Sequence, residues 1–379
     1  MANKIKRLVA INVPFTKCNL KCRYCYLSQR NEWDDSRPTF KHTPKEIRQA
    51  LSKERLGGAS IINLTGRGET LLPKEMPEII RELLEEGHYI EVVTNGTLTK
   101  RFDEISCFPP KLLSHLEFKF SFHYLELKRL GIMDSFFDNV NKMRNAGCSF
   151  TIELMPYDEL IPYIDDIKRI CVEKVGAVCQ TTVGRNDLDG RTLLTELSRE
   201  EYENTWNTFD STMFKFKMDV YNIKRKEFCY AGMWSLYVDL ISGEARRCYG
   251  FEPDQNIYDM SKQIRFRPVG HSCKQPFCYN AHAFLCLGVI PELQTPTYAD
   301  IRNRVTEKGD EWLSPEVKDA FSAKLKDANE QLSVSERKML YLTAPLHQVK
   351  VLIHNNFMIP KIIKKITGKS NTAKRNTGK

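Results

Sequence analysis

The sequence predicts an α/β fold, a partial (β/α)6 TIM-like barrel followed by a cysteine-rich C-terminal extension. Short apolar runs alternate with helix-like segments over about 180 residues, and cysteines become frequent from Cys229 onward. The apolar runs predict strands at 8–13, 60–65, 89–94, 115–122, 149–154 and 176–183, and the segments between them predict helices at 44–56, 74–87, 133–146 and 158–173. Six strands are too few to close an eight-stranded barrel, so we expect an open one.

Turn residues and composition divide the rest of the chain. Gly87 and Gly147 follow two predicted helices at the position where glycine commonly ends a helix. Residues 184–228 are polar and helical in pattern, and a β-hairpin is predicted around Ser242-Gly243. We therefore expect four parts, namely a barrel core, a cysteine-rich domain, a helical segment and a basic tail, at 1–225, 226–295, 296–345 and 346–379.

The net charge of +9 is concentrated at the C-terminus. Residues 337–379 contain ten Lys or Arg and no Asp or Glu, which leaves 47 basic and 48 acidic residues in 1–336. A neutral body argues against a nucleic-acid partner. No stretch approaches the length of a membrane span, and residues 8–13 are too short for a signal peptide, so we expect a cytoplasmic protein. The tail mixes apolar and basic residues, which suits either a disordered end or contact with an anionic membrane.

Three cysteines, Cys18, Cys22 and Cys25, follow the first predicted strand within eight positions. The loop after a strand of a βα barrel lies at the edge of the sheet where ligands bind. Closed zinc sites and ordinary four-iron clusters use four protein ligands, so three thiolates leave one metal position open. A zinc site completed by a distant His or Cys is the alternative.

The CxxxCxxC spacing directly after a strand resembles the radical S-adenosylmethionine (SAM) superfamily, and Thr65–Leu72 (TGRGETLL) resembles its Gly-Gly-Glu-Pro segment, with Arg67 between the glycines and Thr70 in place of proline. The resemblance implies a [4Fe–4S] cluster whose open iron binds SAM. It implies an enzyme that reductively cleaves SAM to a 5′-deoxyadenosyl radical, which then abstracts a substrate hydrogen. It also implies SAM-binding roles for Tyr24, Gly66, Gly68, Glu69, Asn95 and Ser121, although the Thr94–Gly96 segment alone would equally predict a turn.

A second group of cysteines lies within the C-terminal extension, at Cys229, Cys248, Cys273, Cys278 and Cys286. The spacing from Cys229 through Gly243 to Cys248 resembles the opening of the SPASM/twitch extensions of radical SAM enzymes. The resemblance implies one auxiliary [4Fe–4S] cluster held by four of the five cysteines. Cys286, in an apolar run, is either a ligand or a buried thiol, and a structural zinc ribbon is the alternative for the whole group.

Polar residues at the later strand ends are candidates for the substrate side. His123 follows the fourth strand and Glu153 ends the fifth, so both are expected at the barrel mouth as catalytic residues. Thr181, Thr182 and Arg185 follow the sixth strand in the same way.

The expected function is oxidation or epimerisation of a small molecule such as a sugar, an aminoglycoside-like compound or a nucleoside. A free thiol in the site would favour epimerisation, because it could return a hydrogen atom. The alternatives are a peptide-modifying maturase, which would need a separate recognition protein, and a non-catalytic two-cluster electron-transfer or metal-sensing protein. An enzyme of this class would need a reductant such as flavodoxin or ferredoxin.

Overall fold

A computed structural model describes residues 4–36, 39–189 and 192–340. The basic tail and the end of the expected helical segment lie outside these ranges. In the described ranges, nine strands form one sheet: β1 Arg7–Val13, β2 Ser60–Gly66, β3 Tyr89–Thr94, β4 Leu116–Ser121, β5 Ser149–Leu154, β6 Gln180–Thr181, β7 Ser235–Asp239, β8 Glu244–Arg246 and β9 Gln255–Asn256.

The α-helices among the described residues are α1 Tyr26–Gln29, α2 Pro44–Ala50, α3 Lys53–Leu56, α4 Met76–Glu85, α5 Thr99–Ser106, α6 Pro110–Leu113, α7 Tyr124–Leu130, α8 Met133–Asn145, α9 Ile164–Val175, α10 Arg199–Asn207, α11 Thr212–Val220, α12 Ala281–Phe284, α13 Tyr298–Arg302 and α14 Pro315–Ser322. Two 3₁₀ helices, Asp158–Tyr163 and Leu325–Asp327, accompany them. No helix in the described ranges is both long and apolar enough to cross a lipid bilayer.

The sheet has the order β6-β5-β4-β3-β2-β1-β7-β8-β9 and is not closed. Strands β1 to β6 pair in parallel with their neighbours, and most of the connections between them carry helices. This arrangement confirms the predicted α/β class and the open, partial barrel.

Side-chain alternation along β1 sets the two faces of the sheet. Val9, Ile11 and Val13 belong to one large apolar core that includes residues of the surrounding helices. Leu8 and Ala10 belong to a second apolar core formed with the C-terminal part of the chain. Because successive strand residues point to opposite faces, strands β1, β2 and β3 contribute to both cores.

Local sequence explains where the observed elements differ from the expected ones. The helix predicted over 44–56 is two helices, because Ser52 interrupts it and caps α3 by accepting a hydrogen bond from the Arg55 amide at 3.4 Å. The helix predicted over 158–173 begins as a 3₁₀ segment that contains Pro162 and becomes α-helical only at Ile164. The predicted glycine ends are present, since Gly87 and Gly147 adopt φ values of +86° and +97°.

The predicted hairpin is present as β7 and β8, with Gly243 at φ +73° in the turn. Strand β7 also pairs in parallel with β1, in register from Leu8 with Ser235 to Asn12 with Asp239. The cysteine-rich extension therefore continues the barrel sheet at its β1 edge. Because β8 runs antiparallel to β7, Cys248 after its end lies toward the start of β7 and therefore of β1.

Charged side chains are buried on the face of the sheet that also carries the second apolar core. The guanidinium of Arg302, which is fully buried, pairs with Glu91 at 2.8 Å and with Glu153 at 3.0 Å. Tyr298, one helical turn earlier on α13, donates to Glu91 at 2.7 Å. A single short helix from the C-terminal part thus neutralises carboxylates on two strands of the barrel.

Glu117 on β4 is a further carboxylate in this interior. It is fully buried, and within the described part of the chain neither of its oxygens has a hydrogen-bond partner of ordinary geometry, although Thr151 lies alongside. Burial, reinforced by the charge of Glu91, raises the pKa of Glu117 from 4.5 to about 8. The protonated acid is therefore the form that the folded protein favours at neutral pH.

Replacing this acid should change how stability depends on pH. Because the folded-state pKa is raised, the native protein binds a proton more tightly than the unfolded chain between about pH 5 and pH 8, and stability falls as the pH rises through this window. Glu117→Gln removes this loss. We expect the free energy of unfolding of the variant, relative to wild type, to increase by about 2 kcal/mol from pH 6 to pH 8 in urea titrations. The exposed substitution Glu78→Gln is the control, and an equal response of both variants would contradict the assignment.

Candidate active site

The three N-terminal cysteines line one cavity at the carboxyl edge of the sheet. The cavity has a volume of about 150 Å³ and is bounded by loops after four parallel strands. Its polar and cysteine lining includes Cys18, Cys22, Cys25, Gly66, Gly68, Glu69, Thr70, Thr94, Asn95, Ser121 and His123. Burial raises the pKa of the Cys18 and Cys22 thiols. The charge of Glu69 raises the pKa of Cys18 further, and the charges of Cys18 and Cys25 raise the pKa of Cys22 further.

Backbone hydrogen bonds fasten the cysteine loop to the loop after β2. The amide of Gly68 donates to the Phe15 carbonyl at 2.5 Å, and the amide of Glu69 donates to the Lys17 carbonyl at 3.1 Å. A Cβ atom on residue 68 would lie 2.1 Å from the Lys17 carbonyl oxygen. Glycine at position 68 is therefore required by close backbone approach, which sets the distance between the cysteines and Glu69.

Glu69 is a buried carboxylate that accepts hydrogen bonds from three uncharged donors. Its oxygens accept from the Thr94 hydroxyl at 2.6 Å, the Asn95 amide at 2.7 Å and the Leu71 amide at 3.0 Å. Among the residues that the structure describes, no cation forms an ion pair with it. Burial raises the pKa of Glu69, and the three hydrogen bonds oppose this rise. A cationic group entering the cavity would compensate the buried charge.

Asn95 connects the strand end of β3 to the cysteine loop. Its side-chain amide donates to Asn19 Oδ1 at 2.8 Å and lies 3.6 Å from the Cys18 sulfur. The Leu20 amide also donates to that sulfur, at 3.4 Å. The Cys18 sulfur therefore has two N–H groups directed at it, an arrangement that stabilises negative charge on a thiolate.

His123 lies at this cavity, and Tyr24 lies behind it. The Tyr24 hydroxyl and His123 Nδ1 share a hydrogen bond, and the Tyr24 ring packs against Tyr157 with centroids 4.5 Å apart. Burial, followed by the charge of Lys119, lowers the pKa of His123 to about 4. The imidazole is therefore neutral at physiological pH, which differs from the titration near neutrality that made it a candidate acid or base.

A larger polar cavity of about 580 Å³ adjoins the cysteine cavity, with Val93 in the walls of both. It extends over the sheet interior toward the C-terminal extension. Its charged and polar lining consists of Tyr26, Arg30, Asn63, Thr65, Lys119, Arg185, Asp187, Asp189, Tyr249, Tyr279, Asn280, His282 and Arg302. A volume of this size is typical of a small-molecule site.

Glu153 lies beneath this cavity and forms ion pairs. Lys119 contacts it at 3.1 Å and Arg302 at 3.0 Å. Burial opposes ionisation, but the charges of Lys119, Arg302 and Lys217 lower the pKa of Glu153 to about 2. Glu153 is thus a permanently ionised carboxylate that positions cations.

Four of the five C-terminal cysteines line a third, small cavity of about 50 Å³: Cys229, Cys248, Cys273 and Cys278. Each of Cys229 and Cys278 has its thiol pKa raised by burial first and then by the charges of other members of this group. Cys286 lies elsewhere, fully buried in the second apolar core. The structure thus separates one thiol from the other four.

Each of the two cysteine groups is defined by the one cavity that its members line together. Within the described ranges, no three His, Cys, Asp or Glu side chains form a group that could hold a single metal ion. The small cavity is joined to the polar cavity through Tyr249, Tyr279 and Asn280, which lie in the walls of both.

Residues 12–159 match the sequence model described as the Radical SAM superfamily. The match indicates a Radical SAM domain in this part of the chain, and such a domain implies a [4Fe–4S] cluster and SAM as cofactors.

Individual relatives are distant. A probable GTP 3′,8-cyclase of Methanococcus maripaludis is 34% identical over 87 residues, which are 23% of this chain and 28% of that protein's length. Among solved structures, Streptococcus suis SuiB bound to SAM aligns with a TM-score of 0.46 and 14% identity, covering 67% of this chain and 64% of SuiB. The enzyme anSMEcpe with bound SAM aligns with a TM-score of 0.42 and 16% identity, covering 67% and 76%.

The sequence located the cysteine cavity but missed most of the polar cavity. Lys119 could have been found, because it lies two residues before Ser121 on β4 and therefore faces the same side. Asn63 likewise interrupts an apolar strand. His282 and Arg302 had no local signal, since they reach the barrel from segments more than 100 residues away from the strands they approach.

An added methyl group at position 68 should disrupt the cysteine cavity. Gly68→Ala forces the Glu69 loop away from Lys17, and we expect a loss of about 3 kcal/mol of stability together with less iron bound after reconstitution. Gly147→Ala is the control, because its Cβ would meet no atom within 4 Å and only the positive φ is unfavourable, costing about 1 kcal/mol. Thermal unfolding and iron analysis test both variants. Equal losses of stability and iron would show that the close approach at Gly68 is unimportant.

Proposed function

We propose that this protein is a radical SAM enzyme that oxidises a small molecule held in the polar cavity. The observation that carries the proposal is the single cavity shared by Cys18, Cys22 and Cys25 with the Gly66–Thr70 loop, Asn95 and Ser121. Parallel strand topology brings these groups together from four separate loops, which a structural metal site would not need.

The residues of the cysteine cavity fit the cofactors of the superfamily. Cys18, Cys22 and Cys25 would each bind one iron, which leaves the fourth iron for SAM. Glu69 would receive the SAM ammonium, since it is a buried carboxylate whose present partners are all neutral. Asn95 and Ser121 would contact the carboxylate or ribose. When bound and reduced, the cluster supplies the electron that cleaves SAM to methionine and the hydrogen-abstracting 5′-deoxyadenosyl radical.

Cys229, Cys248, Cys273 and Cys278 are the ligands we propose for one auxiliary [4Fe–4S] cluster in a SPASM/twitch-like extension. They share a cavity, whereas Cys286 is buried among apolar side chains. Two clusters and many free thiols suit a reducing cytoplasm.

Oxidation is favoured over epimerisation by what lines the polar cavity. The four-cysteine group borders it through Tyr249, Tyr279 and Asn280, so an electron acceptor there would lie next to the substrate. No cysteine is among the described residues that line the polar cavity itself. Epimerisation in which a cysteine returns the hydrogen atom would need a thiol in that position.

Two other functions remain as competing hypotheses. A peptide maturase is the second candidate, and the observation that favours it is Leu188, an apolar side chain that is 71% exposed at the mouth of the polar cavity and could contact a longer substrate. An electron-transfer or metal-sensing protein would not need the Glu69 carboxylate facing an open metal position. Flavodoxin or ferredoxin is the reductant that we expect for the enzyme.

SAM cleavage should depend on the charge of Glu69. After anaerobic reconstitution and dithionite reduction, the wild-type protein should release 5′-deoxyadenosine from SAM. Glu69→Gln keeps the size of the side chain but loses the anion, so SAM affinity should fall about tenfold to a hundredfold, with the iron content unchanged. Equilibrium dialysis with SAM and chromatography of the nucleoside product measure the two effects.

Glu159→Gln is the matched control, because it is half-exposed and lies outside the described cavities. The proposal fails if the wild-type protein, with a full iron complement, leaves SAM intact after reduction. Unchanged SAM affinity in Glu69→Gln would remove Glu69 from the binding site without removing the reaction.

The iron content of cysteine variants should distinguish the four proposed ligands of the auxiliary cluster from Cys286. The reconstituted wild-type protein should hold about eight irons, because two four-iron clusters are proposed. Cys248→Ala combined with Cys278→Ala should reduce this to about four and leave SAM binding intact. Cys286→Ala should keep about eight, since Cys286 lies outside the four-cysteine cavity. About four irons in the wild-type protein would contradict the auxiliary cluster, and tetrahedral zinc in X-ray absorption would replace it with a structural site.

A further inference from the structure

Four cations converge on the polar cavity from four different elements. Lys119 lies on β4, Arg185 follows β6, Lys217 lies on α11 and Arg302 ends α13; we refer to these four as the inner cations. Lys119, Arg185 and Arg302 line the cavity directly. Lys217 lies behind it, in a pocket whose wall includes Arg185 and Tyr279, which the polar cavity also contacts.

Three carboxylates compensate the charge of these four cations. Glu153 is shared by Lys119 and Arg302, Arg302 also pairs with Glu91 at 2.8 Å, and Asp187 pairs with Arg185 at 2.8 Å. The Lys217 ammonium donates only to the Thr182 hydroxyl, and in the described part of the chain no carboxylate lies within ion-pair distance of it. A partly buried ammonium without a carboxylate partner is less favourable for folding than a paired one.

The charges of the other inner cations change the pKa of Lys217. Burial lowers its pKa to about 8, the charge of Glu153 opposes this change, and the charges of Lys119, Arg185 and Arg302 lower the pKa further. The inner cations therefore repel one another across the cavity wall. An anion placed between them would relieve this repulsion.

His282 adds an uncharged polar group to the same wall. It lines the polar cavity, and its Nδ1 atom is buried without a hydrogen-bond partner among the described residues. Burial, reinforced by Lys217, Arg302 and Lys119, lowers the pKa of His282 well below 6.5, so the ring stays neutral. An unpartnered buried ring nitrogen is a hydrogen-bonding position that a ligand would fill.

We propose that the inner cations and His282 bind an anionic substituent, a phosphate or a carboxylate, of the substrate. This inference rests on the proposed function, because it assigns a chemical class to the molecule that the enzyme oxidises. Arg185 would contribute its planar guanidinium to two oxygens, and Lys119 and Lys217 would contribute charge. The anion would lie beside Tyr279 and Asn280, between the cysteine cavity and the four-cysteine cavity.

Lys217→Met and Lys215→Met provide a matched test on one helix. Lys215, two residues earlier on α11, is about half exposed and pairs with Asp210, whereas Lys217 is partly buried and has no carboxylate partner among the described residues. Removing this partly buried cation should leave the thermal midpoint of the free protein equal to or above that of wild type. Lys215→Met should behave as wild type throughout.

Thermal unfolding of the reconstituted full-length protein is followed at constant ionic strength with inorganic phosphate, malonate or uncharged glucose. Phosphate, malonate or both should raise the wild-type midpoint in a saturable way, and glucose should not. The apparent dissociation constant of the effective anion should increase about tenfold in Lys217→Met and in Arg185→Gln. A response to phosphate alone or to malonate alone identifies which anion the site takes.

Several results would overturn the proposal. One is the absence of any saturable response to either anion, and another is an equal response in wild type, Lys217→Met and Arg185→Gln, which would place the anion elsewhere. A lower midpoint for ligand-free Lys217→Met with unchanged anion affinity would show that Lys217 has a structural role. Release of 5′-deoxyadenosine by the same wild-type preparation is measured separately, so loss of the proposed reaction and loss of the anion site are distinguishable.

Discussion

The interior of the open sheet depends on the ion pairs that Arg302 forms with Glu91 and Glu153. Glu91 lies on β3 and Glu153 on β5, on either side of β4. Glu153 also pairs with Lys119, but Arg302 is the one cation that pairs with Glu91 among the described residues. Removing one partner of such a buried group typically costs about 3–5 kcal/mol, because the other charge is left behind. Arg302 belongs to the C-terminal part of the chain, so its contacts also join that part to the barrel. The polar cavity exists because this interior is filled with charge rather than with apolar side chains.

Strand topology explains why two cysteine groups distant in sequence flank one cavity. Strands β1 to β4 run in parallel, so the loops after them meet at one edge and form the cysteine cavity. Strand β7 adds to the other side of β1 in the same direction, and Tyr249, which follows Cys248 after the hairpin, lies in the walls of both the four-cysteine cavity and the polar cavity. A substrate between the two groups would be within reach of both a hydrogen-abstracting radical and an electron acceptor. The geometry of the sheet therefore supports a reaction that uses both.

Charged and polar groups that lack an ion-pair or hydrogen-bond partner among the described residues are concentrated around the cavities. Among the described residues, Glu69 has only neutral partners, the Lys217 ammonium has only a hydroxyl partner, and His282 Nδ1 has no hydrogen-bond partner. Each arrangement is unfavourable for the folded protein alone, since buried polar groups are normally paired. Glu69 faces the site proposed for the SAM ammonium, and the other two face the proposed substrate anion. The cysteine cavity presents the negative charge of Glu69, and the polar cavity presents the positive charges of the inner cations. The first cavity would therefore favour the SAM ammonium, and the second would favour an anionic substrate.

The sequence alone determined the α/β class, the order of the six barrel strands and the cysteine, glycine and glutamate residues of the first cavity. Those features depend on local periodicity and on motifs within single loops, which remain readable without long-range contacts. Only the tertiary structure separated Cys286 from the other four C-terminal cysteines, paired β7 with β1, and gathered Lys119, Lys217, His282 and Arg302 around one cavity. Spacing along the chain cannot fix these positions, because they are set by how distant segments pack and by which buried charges must be close enough to neutralise one another.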